Sequence, residues 1–171
     1  MSGPAAGAGA LDTPGLGRRL ACFVYEGLLL FGVVMVAGLI YGVAIGQRDS
    51  QVGQRGLQAL LFAVIGVYFI WFWTRSGQTL AMKTWRIRLV TLQGAPVPPL
   101  RALARYLLCW IWFLPALGTV AAFGLHGVWR TFGAVVVGVL VYAVLARLHP
   151  QRQYWHDALC GTRLVVWRRP G

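Results

Sequence analysis

Four acids stand against sixteen Lys and Arg in this chain of 171 residues, and one of them, Glu26, lies inside an otherwise uncharged apolar run from Leu20 to Ile45. A carboxylate in such a run costs roughly 2.5–3.5 kcal/mol on insertion scales, so it needs a partner or a cavity. Arg19 precedes it by seven residues on nearly the same helical face, with Cys22 between them. Arg101 and Arg105 are four apart and start a stripe that Cys109 and Trp112 continue. Asp157 is the other acid set among arginines. Both carboxylates are therefore expected to be ionised and ion-paired. Together Arg19, Glu26, Arg105 and Asp157 form a candidate charge cluster for a proton, a cation or a small solute. For any one of them the alternative, and the expected one, is a place in a purely structural ion-pair network. Glu26 could also sit near the headgroups, because Gly27 to Ile45 already supplies 19 charge-free residues.

Other constellations offer less. His149, His156, Asp157 and Cys160 can be drawn as a metal site, with His156 and Cys160 four apart on a helix. There is no second Cys pair and no His-rich tract, so neither a metal nor another cofactor is expected. The chain shows no nucleophile–base motif, Gly-rich phosphate loop or paired catalytic carboxylates, and Gly77-Gln78-Thr79 matches no phosphate-binding pattern. It is therefore not expected to be an enzyme. Cys22, Cys109 and Cys160 are an odd count, far apart, and suggest no disulfide framework.

Composition sets the medium for this chemistry. A hydrophobic share of 58% with a net charge of +12 leaves too little polar residue to coat a soluble globule. Disorder requires low hydrophobicity and is excluded. A nucleic-acid module would need a soluble body to present its basic groups, so no nucleic acid is expected as partner. What remains is a membrane protein whose charges lie outside its spans.

Four spans follow from hydropathy: about 20–45, 57–73, 106–125 and 131–147, each near the ~20 residues a transmembrane helix needs. Residues 1–17 are Gly/Ala/Pro-rich and read as a disordered tail, without the positive n-region of a signal peptide, so no cleavage is expected. Gly46–Gly56 reads as a loop, 125–130 as a short turn, and 168–171 as a tail. Thirteen of the sixteen basic residues fall in the N-terminal flank, the segment 74–105 and the tail from Arg147. The positive-inside bias then places both termini in the cytoplasm, facing anionic headgroups. Trp71, Trp73, Trp110, Trp112 and Trp129 lie near span ends, where amphipathic rings favour the interface. Fifteen of the basic residues are Arg, which reads as a GC-rich bacterial genome and hence a bacterial inner membrane.

The cytoplasmic segments, 74–105 and 148–167, carry structure of their own. Residues 85–91 alternate bulky apolar with charged side chains, and 163–167 form a second β-rich stretch, so the two are expected to pair as a small sheet. Pro150 to Cys160 has helix logic, with Tyr154, Trp155, Ala158 and Leu159 on one face lying in the interface plane. The fold class is thus an all-α membrane protein: a four-transmembrane-helix bundle with a small cytoplasmic β element and an interfacial C-terminal helix. Gly38, Gly42 and Gly46 make two overlapping GxxxG steps on the first helix, and Gly118/Ala122 and Ala134/Gly138 repeat the small-residue spacing. Intramolecular packing is the favoured use of these ridges; a homo-oligomer or a membrane-protein partner is the alternative, and so is the plain frequency of Gly in membrane helices. Pro115 should kink the third helix, freeing the carbonyl of Ile111.

Taken in order, the motifs resemble the RDD family of polytopic membrane proteins, named for an Arg and two Asp. Arg18-Arg19-Leu20-Ala21 with an acid at 26 is similar to the family's opening motif, and Ser76 to Lys83 resembles its central Gly-Gln-Thr motif. Arg101 to Arg105 resembles the Arg-containing entry to the third helix. His156-Asp157 followed by Gly161-Thr162 resembles the C-terminal motif. The resemblance runs from about Arg18 to Val166 and draws Gln78, Thr79, His156 and Thr162 into the candidate site. Glu26 departs from the family's Asp, keeping the charge with a longer reach. Either Arg18 or Arg19 could be the family's Arg, with helical phase favouring Arg19. The resemblance implies transport or exchange of a small ligand or ion; an assembly or scaffold role is the rival.

Overall fold

The computed structural model describes residues 12–45, 50–110, 113–124, 127–145 and 153–167. Within them, four helical stretches are long and apolar enough to cross a membrane. Helix α1 (Leu16–Ile45) is apolar on all sides and turns Leu28, Phe31, Leu39 and Val43 outward, as a helix bathed in lipid does. It starts four residues before the expected boundary, so Arg18 and Arg19 are helical. Helix α2 (Ser50–Arg75) also starts early and takes Ser50–Gly56 out of the expected loop. Continuing a helix satisfies backbone groups at the membrane boundary more cheaply than a loop can. Gly46–Asp49 lie outside the described residues, and with them the third glycine of the α1 ridge.

The third span, Pro99–Ala122, holds two described helices. Helix α4 (Pro99–Cys109) begins with Pro at its first position, where the missing N–H costs nothing. Helix α5 (Leu114–Ala122) carries Pro115 in its own first turn. Pro115 thus stands in the first turn of the described helix; the expected kink, with the freed carbonyl of Ile111, lies outside the described residues. Helix α6 (Val128–Leu145) is the fourth span and packs on α5. It absorbs 128–130 of the expected turn, while residues 125–126 and 146–152, including Arg147 and His149, lie outside the description.

The remaining elements make a small body at one end of the spans. Helix α3 (Leu80–Thr84) leads into strand β1 (Ile87–Thr91). Helix α7 (Trp155–Leu159) leads into strand β2 (Thr162–Val166). The two strands pair antiparallel with Leu89 opposite Leu164, the pairing expected from their alternation. Ile87, Leu89 and Leu164 share one face of this sheet and are buried beneath the spans with Ala81 and Ala102. Asp12 to Gly15 belong to this body and not to a disordered tail, because the Val166 N–H donates to the Asp12 carbonyl at 2.8 Å. Residues 1–11 and 168–171 lie outside the described residues.

Helix α7 is a single turn, shorter than the expected Pro150–Cys160, and of its expected apolar face Tyr154 is buried. Trp155 and Leu159 are exposed, whereas His156 and Asp157 are buried. An ion pair (below) dictates the phase of so short a helix more strongly than apolar residues can.

The small-residue ridges also divide differently from expectation. A Cβ added at Gly38 or Gly42 meets nothing within 4 Å, so this part of the α1 ridge packs against no other described part of the chain. At Gly138 it would stand 2.7 Å from the Ala116 Cβ, so there the absence of a side chain lets α6 approach α5. Gly138→Leu should therefore lower stability by about 1–3 kcal/mol through overpacking. Gly42→Leu should leave the monomer unchanged. Unfolding midpoints of both variants in micelles check the contrast, which is absent if the two behave alike.

Candidate functional site

The Gly-Gln-Thr segment positions the site from below. Gly77 takes φ +70°, and a Cβ there would meet the Leu89 carbonyl oxygen at 2.7 Å. Its own carbonyl accepts from the Leu89 N–H at 2.8 Å. Only glycine meets both conditions without strain. Gln78 donates its side-chain amide to the Ile87 carbonyl at 2.6 Å, fixing α3 to β1. Thr79 is the N-cap of α3, its hydroxyl oxygen accepting from the Met82 N–H at 3.2 Å. That leaves the hydroxyl proton for Glu26.

Glu26 is buried on α1 with both oxygens occupied. Oε1 accepts from the Tyr68 hydroxyl of α2 at 2.6 Å, and Oε2 from Thr79. The carboxylate thus joins α1, α2 and α3 through three residues far apart in sequence. It is partnered by hydroxyls and not by arginine: among the described residues no ion pair to Glu26 forms, contrary to expectation. Tyr68 lay hidden in a span read only as apolar. A tyrosine in the middle of a charge-free helix, with its need for a hydroxyl partner, was the available signal.

The arginines take separate places. Arg18 is exposed and Arg19 buried, so of the two it is Arg19 that reaches the interior. The Arg19 Nε donates to the Pro14 carbonyl at 2.9 Å, and its guanidinium lies over the Tyr154 ring at 5.1 Å. Arg105 makes the expected kind of ion pair, with Nε 2.7 Å from Asp157 Oδ1 and side chains 9% and 0% exposed. Its guanidinium stacks over Trp73 at 4.2 Å, so Trp73 is buried under the site and not at a lipid interface. Arg101 is exposed and outside the cluster.

Behind Asp157 the C-terminal motif is a scaffold. The Thr162 hydroxyl donates to the Asp157 carbonyl at 3.2 Å and is fully buried. The Tyr142 hydroxyl lies 3.1 Å from His156 Nδ1 and accepts from the His156 backbone N–H. His156 Nε2 is 3.4 Å from Asp157 Oδ1. Burial lowers the His156 pKa to about 4, with Asp157 opposing and Arg105 assisting, so the ring is neutral near pH 7. Burial pushes the Tyr154 phenol up to about 12, against the pull of Arg19, and raises the Cys160 thiol. Among the described residues no group of three His, Cys, Asp or Glu could hold a metal ion. Gln153 was not singled out by sequence, yet it bonds both backbone groups of Leu164 and is 2% exposed.

These side chains surround a cavity of about 450 Å³. It lies between α1 and the third span, with α2 behind it and the small sheet at one end. Arg19, Glu26 and Arg105 all line it, with His156 beside them. Asp157 stands behind Arg105. The expected four-residue cluster is therefore two separate arrangements, Glu26 with its hydroxyls and Arg105 with Asp157, facing a common space into which Arg19 also projects.

A family model described as the RDD family matches residues 13–161. The matched stretch carries every motif residue discussed above except Thr162, which begins β2. No curated protein and no solved structure matches the chain.

Proposed function

Because the chain belongs to the RDD family of membrane proteins, we propose that it takes part in the transport or exchange of a small solute or ion. The observation that carries this reading is the cavity: Arg19, Glu26 and Arg105 line one space between helices long enough to span a membrane. A network serving only the fold has no reason to surround 450 Å³ of space. The proposed setting is a bacterial inner membrane with both termini cytoplasmic, supported by the basic residues of the flanks and the central segment. The polar end of the cavity then faces the cytoplasm and its anionic headgroups.

The test is flux through liposomes holding the full chain, with protons, monovalent cations and small organic solutes presented in turn. Glu26→Gln keeps the shape and removes the charge. It should cut flux roughly tenfold, the equivalent of one charge-assisted hydrogen bond. Equal flux at equal protein recovery, or none in the parent protein, counts against the proposal. One observation favours the scaffold reading: Glu26 and Arg105 tie three spans to the small sheet body. That reading expects Glu26→Gln to reduce abundance and a membrane partner to co-purify.

A further inference from the structure

We propose that the cavity binds a single-chain amphiphile with an anionic head, the acid at Arg19 and the chain running toward Leu30 and Leu117. The inference rests on the cavity being a solute site and names the chemical class that fits it.

The walls change character along one axis. At the end next to the sheet Arg19, Arg105 and His156 stand among the apolar Met82, Ile87 and Leu164, whereas the other end, at Leu30, Phe113 and Leu117, is apolar throughout. From Arg19 to Leu30 helix α1 rises about 16 Å, so the lining extends along the helix for that length. Phe23 and Phe113 form part of its wall as a ring pair with centroids 6.4 Å apart. A volume of about 450 Å³ suits one chain and one head. Hydrated ions gain nothing from such walls, whereas an apolar chain does.

Charge selects the head. The Arg105 charge is met by Asp157, and the Glu26 oxygens are taken by Tyr68 and Thr79. Arg19 is 5% exposed, its Nε is taken by the Pro14 carbonyl and its Nη2 has no hydrogen-bond partner, while Asp157, already paired with Arg105, acts on it only from beyond ion-pair distance. A buried guanidinium that shares its nearest anion with a second arginine is incompletely neutralised, and its planar donors match a carboxylate or a phosphate. Glu26, two turns farther along α1, repels an acid and holds the head at Arg19. Apolar chain then fills the remainder.

Photolabelling of the full chain in lipid nanodiscs tests this with three probes. They are a long-chain fatty acid with a terminal diazirine, its monophosphate-ester counterpart and its alcohol. At least one acidic probe should mark the Leu30 or Leu117 region about tenfold more than the alcohol does; which of them does so separates a carboxylate from a phosphate source. Arg19→Gln should level acid and alcohol, and Arg18→Gln should leave the preference intact. Gly27 lines the cavity and a Cβ there meets nothing within 4 Å, so Gly27→Leu should block labelling with Arg19 in place. That variant decides the matter even where Arg19→Gln does not fold. Equal labelling by acids and alcohol overturns the inference. So do marks spread over outward residues such as Leu39 and Val43 and indifferent to Gly27→Leu. Flux without an acid preference would sink the amphiphile and keep the carrier; acid-selective labelling without flux would do the reverse.

Discussion

Asp157→Ala lowers the stability of the folded protein by about 3–5 kcal/mol, because it leaves Arg105 buried without its counter-charge. The guanidinium face of Arg105 is held by Trp73 at 4.2 Å, which offers a cation–π contact but no anion. The double variant Arg105→Met with Asp157→Leu should recover most of the loss, since replacing a buried pair with apolar residues is often neutral. Unfolding midpoints in micelles for the single and double variants check both statements. A single variant within about 1 kcal/mol of the parent would show that water reaches the pair.

Acid should weaken the same region by a different route. His156 is neutral in the folded state because burial holds its pKa near 4, against 6.5 when exposed. As pH falls below about 6.5 the unfolded chain takes a proton that the folded one refuses, so stability declines until about pH 4, where the folded state titrates too. Across that window the histidine contributes about 3 kcal/mol of loss. The groups facing the ring are Asp157, Arg105, Tyr142 and Tyr154. The His156→Gln variant, which cannot titrate, isolates the effect. Parent and variant should lose stability with different slopes between pH 6.5 and pH 4. Parallel slopes would mean that the ring is solvated when folded.

The architecture was legible where one physical quantity decides it. Hydropathy alone marks the four spans, and period-two alternation marks β1 and its partner. The candidate site was half legible. Glu26 announces itself because an acid in an apolar run must have a reason, and Arg105 with Asp157 follows from charge. What sequence could not give was who answers Glu26. Tyr68 and Thr79 are 42 and 53 residues away, and a hydroxyl in a membrane helix carries no charge to mark it. The inward phase of His156 and Asp157 was hidden for a related reason. A one-turn helix has too few residues for periodicity to speak, so the phase belongs to the pair that Asp157 makes with Arg105. Gly38 and Gly42 show the opposite failure: their spacing is eloquent, yet nothing described packs there.

The two halves of the Arg105–Asp157 pair are 52 residues apart, with α6 between them. A ribosome makes Arg105 first. Until α6 has been inserted and the segment beyond it has been synthesised, that cation has no anion, and β1 has no strand beside it. The nascent protein therefore carries an unmet positive charge at the foot of its third span through much of its biogenesis. Quality-control machinery that detects exposed charge or an open strand edge at the membrane surface could tell a finished chain from an interrupted one by this feature alone.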